Sequence, residues 1–223
     1  LIIISFSASA QKQKIIALSN YDYKKIHFGM SLDFGFFNLV NDYKDDFQNR
    51  PDILSIETDG DIGLGVSFIL PDLRLNNRLN FRHILSVKTV QRNIKYRFNP
   101  EYDGPTEVTK SVESWFVESG FHFKYRADRI NNSRVYIFFG PNIGVDMASE
   151  KDVEDETIFK LNRANFALEI GAGCDFYFEY FKFAPQIKYS YGLKNLIVED
   201  GTIYTSPLKG FYTRGFQISL TFE

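Results

Sequence analysis

Three histidines are the side chains of this sequence best suited to acid–base catalysis, and they stand far apart at His27, His83 and His122. Two pairings with a nearby polar residue would place an acid–base site, namely His83 with Ser86 and His122 with Glu118. The strand pattern described below gives both residues simpler roles, His122 in an interior polar network and His83 near a membrane interface. We therefore predict that the protein is not an enzyme and has no catalytic residue.

The sequence offers few residues for metal binding or redox chemistry. No Cys or His pair stands at metal-ligand spacing, and the single Cys174 has no partner for an intramolecular disulfide. Residues 41–61 are acidic and could bind divalent cations, but they lack the glycine and terminal glutamate pattern of an EF-hand loop. We favour a solvated surface loop and predict no metal and no cofactor. The carboxylates of this stretch are Asp42, Asp45, Asp46, Asp52, Glu57, Asp59 and Asp61.

Composition narrows the class of protein. The formal net charge of -2 gives the chain no basic field, which excludes nucleic acid as its main partner. Aromatic residues are abundant, with 23 Phe and 13 Tyr against 1 Trp, and they suit strands that have one apolar and one polar face. A membrane barrel and a soluble two-sheet sandwich both fit this composition. Beyond the N-terminus, no apolar run is long enough for a spanning helix.

The first residues look like an export signal. Residues 1–6 (LIIISF) are apolar, and Ala8 and Ala10 follow at the small-residue spacing that signal peptidase needs. We predict cleavage between Ala10 and Gln11, so that residues 1–10 are the remnant of a secretory signal peptide. The alternative is a buried N-terminal strand, but the polar residues that follow would leave it without a partner.

From His27 onward the dominant period is two, which is the side-chain period of a strand. In the first run, large apolar residues from Phe28 to Phe36 alternate with small and polar ones. The third run is weaker, because His83 and Ile84 break its pattern, and it continues through residues 94–98. The eight runs span residues 27–36, 62–70, 79–88, 115–126, 135–146, 166–178, 181–191 and 215–222. Their lengths suit tilted strands that cross hydrocarbon.

The connections between the runs alternate strictly in length. Long ones, at residues 41–61, 99–109, 148–160 and 193–210, alternate with short ones at residues 71–77, 127–133 and 179–180. Short periplasmic turns and long extracellular loops produce this alternation when both termini are periplasmic, whereas Greek-key links have no reason to do so. We predict an all-β fold, an eight-stranded antiparallel up-and-down transmembrane β-barrel of the outer-membrane type, over residues 26–223. Residues 11–25 would form a periplasmic N-terminal segment.

An eight-stranded barrel encloses only enough room for its own side chains. We therefore predict a packed interior without an open pore, in which opposite charges pair and inward glycines make room for long Lys and Arg side chains. The predicted interior polar network is Asp33, Arg82, Lys88, Glu118, His122, Lys124, Glu169, Asp175, Lys182 and Lys188.

The last strand carries a pattern that the barrel-assembly machinery reads in outer-membrane proteins. Its aromatic and aliphatic residues alternate up to the penultimate position, and a single Glu223 follows. We predict an assembly signal at Gly215, Phe216, Ile218, Leu220 and Phe222. The partners expected from this interpretation are outer-membrane lipid and the barrel-assembly machinery.

Several short segments resemble the PorT (SprT) proteins of Bacteroidetes across nearly the whole mature chain. This resemblance implies an outer-membrane barrel required for the type IX protein secretion system and, in gliding species, for motility, with other components of that system as partners. The alternative is an independent surface barrel of the adhesion or defence type that works through its long loops. The matching segments are residues 20–24 (NYDYK), 26–29 (IHFG), 124–126 (KYR), 129–132 (RINN), 175–183 (DFYFEYFKF) with Pro185, 190–196 (SYGLKNL) and 219–223 (SLTFE).

Overall fold

The computed structural model describes residues 16–45, 47, 53–101, 105–148, 161–198 and 203–223. Within them, eight antiparallel strands form a closed barrel in which each strand pairs with its neighbours in sequence and the last pairs with the first. The predicted fold is confirmed. The strands are β1 (Ile26–Tyr43), β2 (Ile53–Arg74), β3 (Leu79–Phe98), β4 (Glu107–Arg126), β5 (Ser133–Asp146), β6 (Ala164–Tyr177), β7 (Lys182–Gly192) and β8 (Leu208–Phe222). The predicted signal peptide and its cleavage point, Ala10 and Gln11, lie outside the described residues.

A short 3₁₀ helix, Tyr21–Tyr23, precedes β1. Among the described residues, no helix is long and apolar enough to cross a membrane.

The barrel closes between β1 and β8. Met30 pairs with Phe222 and Phe36 pairs with Phe216, so the final strand completes the ring. Closure leaves no unpaired strand edge within the hydrocarbon, where backbone groups have no water to bond. The alternate residues of every strand point outward and form a continuous apolar belt. On β5, for example, Val135, Ile137 and Phe139 are each more than half exposed.

The two ends of the barrel differ. We call the end with the short connections 75–78, 127–132 and 178–181 the turn end, and the opposite end the loop end. At the loop end, the connections predicted from the sequence are longer than those in the structure. Strand β1 runs on to Tyr43, β2 begins at Ile53 and β4 begins at Glu107. Outward side chains are polar where these strands rise above the apolar belt, so the sequence there resembles a loop.

The apolar and polar faces exchange sides near the loop end. Here charged pairs lie on the outside, such as Lys95 with Asp59 at 2.9 Å and Arg97 with Glu57 at 3.6 Å. The interior instead holds an apolar cluster made of Leu39, Ile53, Ile56, Ile94, Tyr96, Phe98, Leu161, Leu196, Leu208 and Phe211. Residues 94–98 therefore continue the third strand, as predicted, but their apolar side chains face inward. This loop-end cluster covers the polar interior.

Several inward glycines make room for aromatic rings. The Phe37 ring lies beside both Gly35 and Gly215, in the space that a Cβ would take at either position. The Tyr136 ring lies in the same way against Gly173, at 2.5 Å. A methyl group at these positions would displace a ring, so the expectation that these glycines accommodate Lys and Arg is wrong for them. It does hold at Gly65, which is packed against Lys88.

Candidate functional site

The barrel interior is a filled and charge-balanced column. Among the described residues, the buried Lys and Arg side chains are Arg82, Lys88, Arg92, Lys124, Arg126, Lys182 and Lys188. The buried carboxylates are Asp33, Asp72, Glu118, Asp146, Glu169, Asp175 and Glu223, an equal number. Burying an unpaired charge costs several kcal/mol. The equal numbers of positive and negative side chains are therefore needed for a charged interior to be stable. All ten residues of the predicted interior network lie in this column.

Glu169 on β6 is the centre of the middle layer. One of its oxygens lies 2.8 Å from Nε2 of His122, and the other accepts from Nζ of Lys188 at 3.0 Å and from the Asn142 amide at 2.9 Å. Strand pairing produces these contacts, because the inward residues of β4, β5, β6 and β7 meet at one height in a tilted barrel. A carboxylate with three such partners is firmly positioned.

Two further pairs surround this layer. Glu118 lies 2.8 Å from Nζ of Lys88 and accepts from Asn142 at 3.0 Å. Asp33 accepts hydrogen bonds from the hydroxyls of Ser31 and Ser67. The pairing of His122 with Glu118 that an acid–base site would need does not form, since each of the two residues bonds to another partner.

Glu223 organises the layer at the turn end. Its carboxylate lies 2.9 Å from the Arg82 guanidinium and 2.5 Å from Nζ of Lys182, and it accepts from the Tyr21 hydroxyl at 2.7 Å. Arg82 also contacts Asp72 at 2.7 Å. Asp175 completes the layer between Lys124 at 3.0 Å and Lys182 at 3.7 Å.

The N-terminal segment closes the turn end. Asp22 lies 2.9 Å from Arg134, 3.4 Å from Arg129 and 3.7 Å from Arg126, and it accepts from the Tyr177 hydroxyl at 2.9 Å. Burial acts to raise the pKa of the Asp22 carboxyl, but Arg134, the Tyr177 hydroxyl and the two other arginines outweigh burial and hold this pKa below its usual value. The segment is thus fastened to the barrel mouth by a charged carboxylate.

A second contact holds the same segment. The Tyr21 ring stacks on His27 with centroids 4.2 Å apart, and the Tyr21 backbone oxygen lies 2.9 Å from Nε2 of His27. Burial and the nearby Glu223 carboxylate raise the pKa of Tyr21 strongly, so its hydroxyl stays protonated and donates.

His83 lies on the outer surface, in the middle of the apolar belt. Its Nδ1 is 2.7 Å from the Leu70 backbone oxygen and its Nε2 is 2.9 Å from the Ser119 hydroxyl, while its ring stacks on Phe121. The alternative pairing of His83 with Ser86 does not form, because Ser86 belongs to the inward-facing set of β3. Hydrogen bonds within the protein satisfy these polar groups where lipid offers none. Its outward neighbours along β3, Phe81 and Leu85, are apolar, so His83 lies within the apolar belt and not at its rim, where we expected it.

The residues of the predicted assembly signal alternate as expected on β8. Phe216, Ile218 and Phe222 face outward in the apolar belt, whereas Gly215 faces inward beneath Phe37. Their role as a signal stays a prediction.

The predicted network left out five charged residues of the column, Asp72, Arg92, Arg126, Asp146 and Glu223, as well as Asn142 and the Asp22 contact at the barrel mouth. Glu223 follows the inward series Ser219 and Thr221 and could have been found by extending the alternation by one step. Asp72 is shifted by a register irregularity between Ile69 and Asp72, which hides it from a simple count of two.

A family model described as an outer membrane protein beta-barrel domain matches residues 9–198. The chain belongs to this family. It is therefore an outer-membrane β-barrel protein, and the predicted location in that membrane is confirmed. Curated protein sequences give no match.

Solved outer-membrane barrels resemble the chain at low identity. Neisserial surface protein A (NspA) has 12% identity over 89% of this chain and 97% of its own, with a TM-score of 0.46. OprG from Pseudomonas aeruginosa has 13% identity over 87% and 93%, with a TM-score of 0.47. Ail of Yersinia pestis, in complex with the heparin analogue sucrose octasulfate, has 15% identity over 89% and 98%, with a TM-score of 0.39.

Proposed function

We propose that the chain is a non-enzymatic barrel subunit or assembly factor of the type IX protein secretion machinery, including its role in gliding motility. The observation that carries the proposal is the filled interior. Side chains of Glu169, Glu118, Glu223 and their partners occupy the barrel from the middle to the turn end, and the apolar cluster occupies the loop end. A barrel without a conduit works through its outer surface, which is what a subunit of a larger machine requires.

The absence of an enzyme role is part of this proposal. His83 lies among acyl chains, where hydrolytic water is scarce, and His122 is 1% exposed within the ion-paired column. Both histidines satisfy neighbouring polar groups and neither faces a solvent-filled cleft.

The segments that resemble PorT proteins support the choice of this machine, and the same resemblance gives the expected partners and orientation. We propose that the turn end and both termini face the periplasm, as in barrels with short periplasmic turns. The partners would be outer-membrane lipid, the barrel-assembly machinery during insertion, and other type IX components afterwards.

The experiment is a deletion strain of the native bacterium, scored for secretion of its type IX cargo. We expect cargo to be retained in the periplasm, and secretion to return when the wild-type gene is restored. Normal secretion by the deletion strain would overturn the proposal.

One observation favours a second function, a surface barrel of the adhesion or defence type. The longer connections all lie at the loop end, including residues 147–163 and 193–207. Shortening these connections should abolish binding to cells or matrix and leave secretion intact if this alternative is right.

A further inference from the structure

Four arginines gather around the N-terminal segment where it crosses the turn end. Arg126 ends β4, Arg134 lies at the start of β5, and Arg129 lies in the connection between these two strands. Arg74 ends β2 and donates to the Asp22 backbone oxygen at 2.7 Å. We call Arg74, Arg126, Arg129 and Arg134 the arginine cluster.

A single carboxylate serves the arginine cluster. Among the described residues, Asp22 is the only carboxylate within salt-bridge distance of these four side chains. The hydrogen bonds of the Arg74 guanidinium go instead to the Asp22 backbone oxygen and to oxygens of Asn76 and Asn77. Four positive charges therefore face one negative charge.

The other described carboxylates at the turn end have closer cations of their own or lie in solvent. Asp72 contacts Arg82, Asp175 contacts Lys124, Asp128 contacts Arg78, Glu223 contacts Lys182, and Glu179 is exposed in the 178–181 turn. These groups do not neutralise the arginine cluster directly.

The undescribed residues do not supply the missing negative charge either. Residues 1–15, which precede the described N-terminal segment, contain no Asp and no Glu. Every other undescribed residue belongs to a connection that starts and ends at the loop end of the barrel. The excess of positive charge at the turn end is therefore a property of the described residues.

Two N–H groups of the arginine cluster have no acceptor. Nε of Arg126 and Nε of Arg134 are buried, and neither donates a hydrogen bond within the described part of the chain. The two side chains are only 3% and 10% exposed. Buried polar groups in native proteins are nearly always hydrogen-bonded to protein, water or a bound ion. These donors therefore indicate an acceptor from outside the chain.

The unpartnered groups lie close together and within reach of solvent. Arg134 and Arg126 approach the same oxygen of Asp22, Oδ1, at 2.9 Å and 3.7 Å, so their like charges repel each other at short range. The Asp22 side chain is 19% exposed, which gives a small ion access. Both arginines belong to the inward-facing series of their strands, so lipid around the barrel does not reach them.

We propose that the arginine cluster binds a soluble oxyanion, a phosphate group, beside Asp22. Guanidinium groups bind phosphate through short, charge-assisted hydrogen bonds, and several N–H donors can share its oxygens. A phosphate carries up to two negative charges near neutral pH, which reduces the excess charge and the repulsion between the arginines. The bound ion connects β4, β5 and the N-terminal segment. This inference does not depend on the proposed function.

The test uses the purified full chain in micelles of a maltoside detergent, which carries no phosphate. The probe is inorganic phosphate, titrated by isothermal calorimetry near neutral pH with chloride keeping the ionic strength constant. We expect saturable binding of one phosphate per barrel. Heat that is absent, or that does not saturate, would overturn the proposal.

Two variants separate a built site from general attraction to a basic surface. Arg134→Gln should weaken phosphate binding by about tenfold or more, because a charge-assisted hydrogen bond is lost. Lys24→Gln removes an exposed cation from the same end and should weaken binding by less than about threefold. Heat-modifiable gel migration checks that both variants fold. Equal affinity of the two variants for phosphate would contradict the assignment to the arginine cluster.

Asp22→Asn gives an expectation of opposite sign. This change removes the carboxylate that repels phosphate and competes for the same arginines, so phosphate should bind about tenfold more tightly. If Asp22 only fastens the N-terminal segment, the variant loosens that segment and gains no affinity. Unchanged or weaker phosphate binding by Asp22→Asn would therefore overturn the proposal.

A competition experiment identifies the source of the phosphate group. A phosphocholine detergent added to the maltoside micelles should not displace inorganic phosphate, because its headgroup stays outside the barrel. Displacement by this detergent would overturn the assignment to a soluble ion.

Discussion

Glu169 offers the most direct test of the ion-paired interior. In Glu169→Gln the side chain keeps its shape but loses its charge, so the Lys188 ammonium at 3.0 Å is left in the interior without its closest carboxylate. Breaking a buried ion pair by removing one partner costs about 3–5 kcal/mol. Glu118 and Asp33 also attract Lys188, which places the expected loss of unfolding free energy near about 3 kcal/mol.

The assay is a urea titration of the barrel in detergent micelles, in which gel migration separates folded from unfolded protein. Glu179→Gln is the matched control, because Glu179 is exposed in the 178–181 turn and should change stability by less than about 0.5 kcal/mol. The double variant Glu169→Gln with Lys188→Gln removes both charges and should recover about 2 kcal/mol of the loss. Stability of Glu169→Gln equal to that of Glu179→Gln would refute the reasoning.

Further predictions concern the belt and the turn end. Ile137→Arg should lower the free energy of unfolding in lipid by about 2–4 kcal/mol, and Asn93→Arg should lower it by less than about 1 kcal/mol, because only Ile137 faces hydrocarbon. Equal losses for the two variants in vesicle titrations would show that the apolar belt is not where we place it. Asp22→Asn should weaken the N-terminal segment, measured as a lower exchange protection factor for the Ala17 amide, which bonds Asn132. The pKa of Asp22 is lowered in the folded barrel, so its stabilisation is present above the ordinary value of about 3.9 and is lost as pH falls below it. Protection that falls equally in acid for wild type and Asp22→Asn would contradict this.

The fold was predictable because a period of two is a strong signal. On each strand, large apolar residues such as Phe28 and Ile137 had to face one side of the sheet. The small and polar residues that alternate with them had to face the other. The alternation of long and short connections then distinguished a barrel from a sandwich. This reasoning reached the strand order, the closing pair of β1 and β8, and the ten interior positions.

The remaining features depend on three-dimensional facts that a single strand does not display. The partner of His122 is Glu169 on a strand two positions away, which depends on barrel tilt. The loop-end cluster was hidden because apolar residues such as Tyr96 exchange faces above the membrane, where Lys95 and Arg97 turn outward.

The central claim is that this outer-membrane barrel is filled and works through its surface. Conductance of the purified full chain in planar lipid bilayers tests the claim most directly. We predict no stable conductance above the background of the bare bilayer, because ion-paired side chains and the loop-end cluster occupy the interior. Discrete, long-lived current steps that scale with salt concentration would contradict the account.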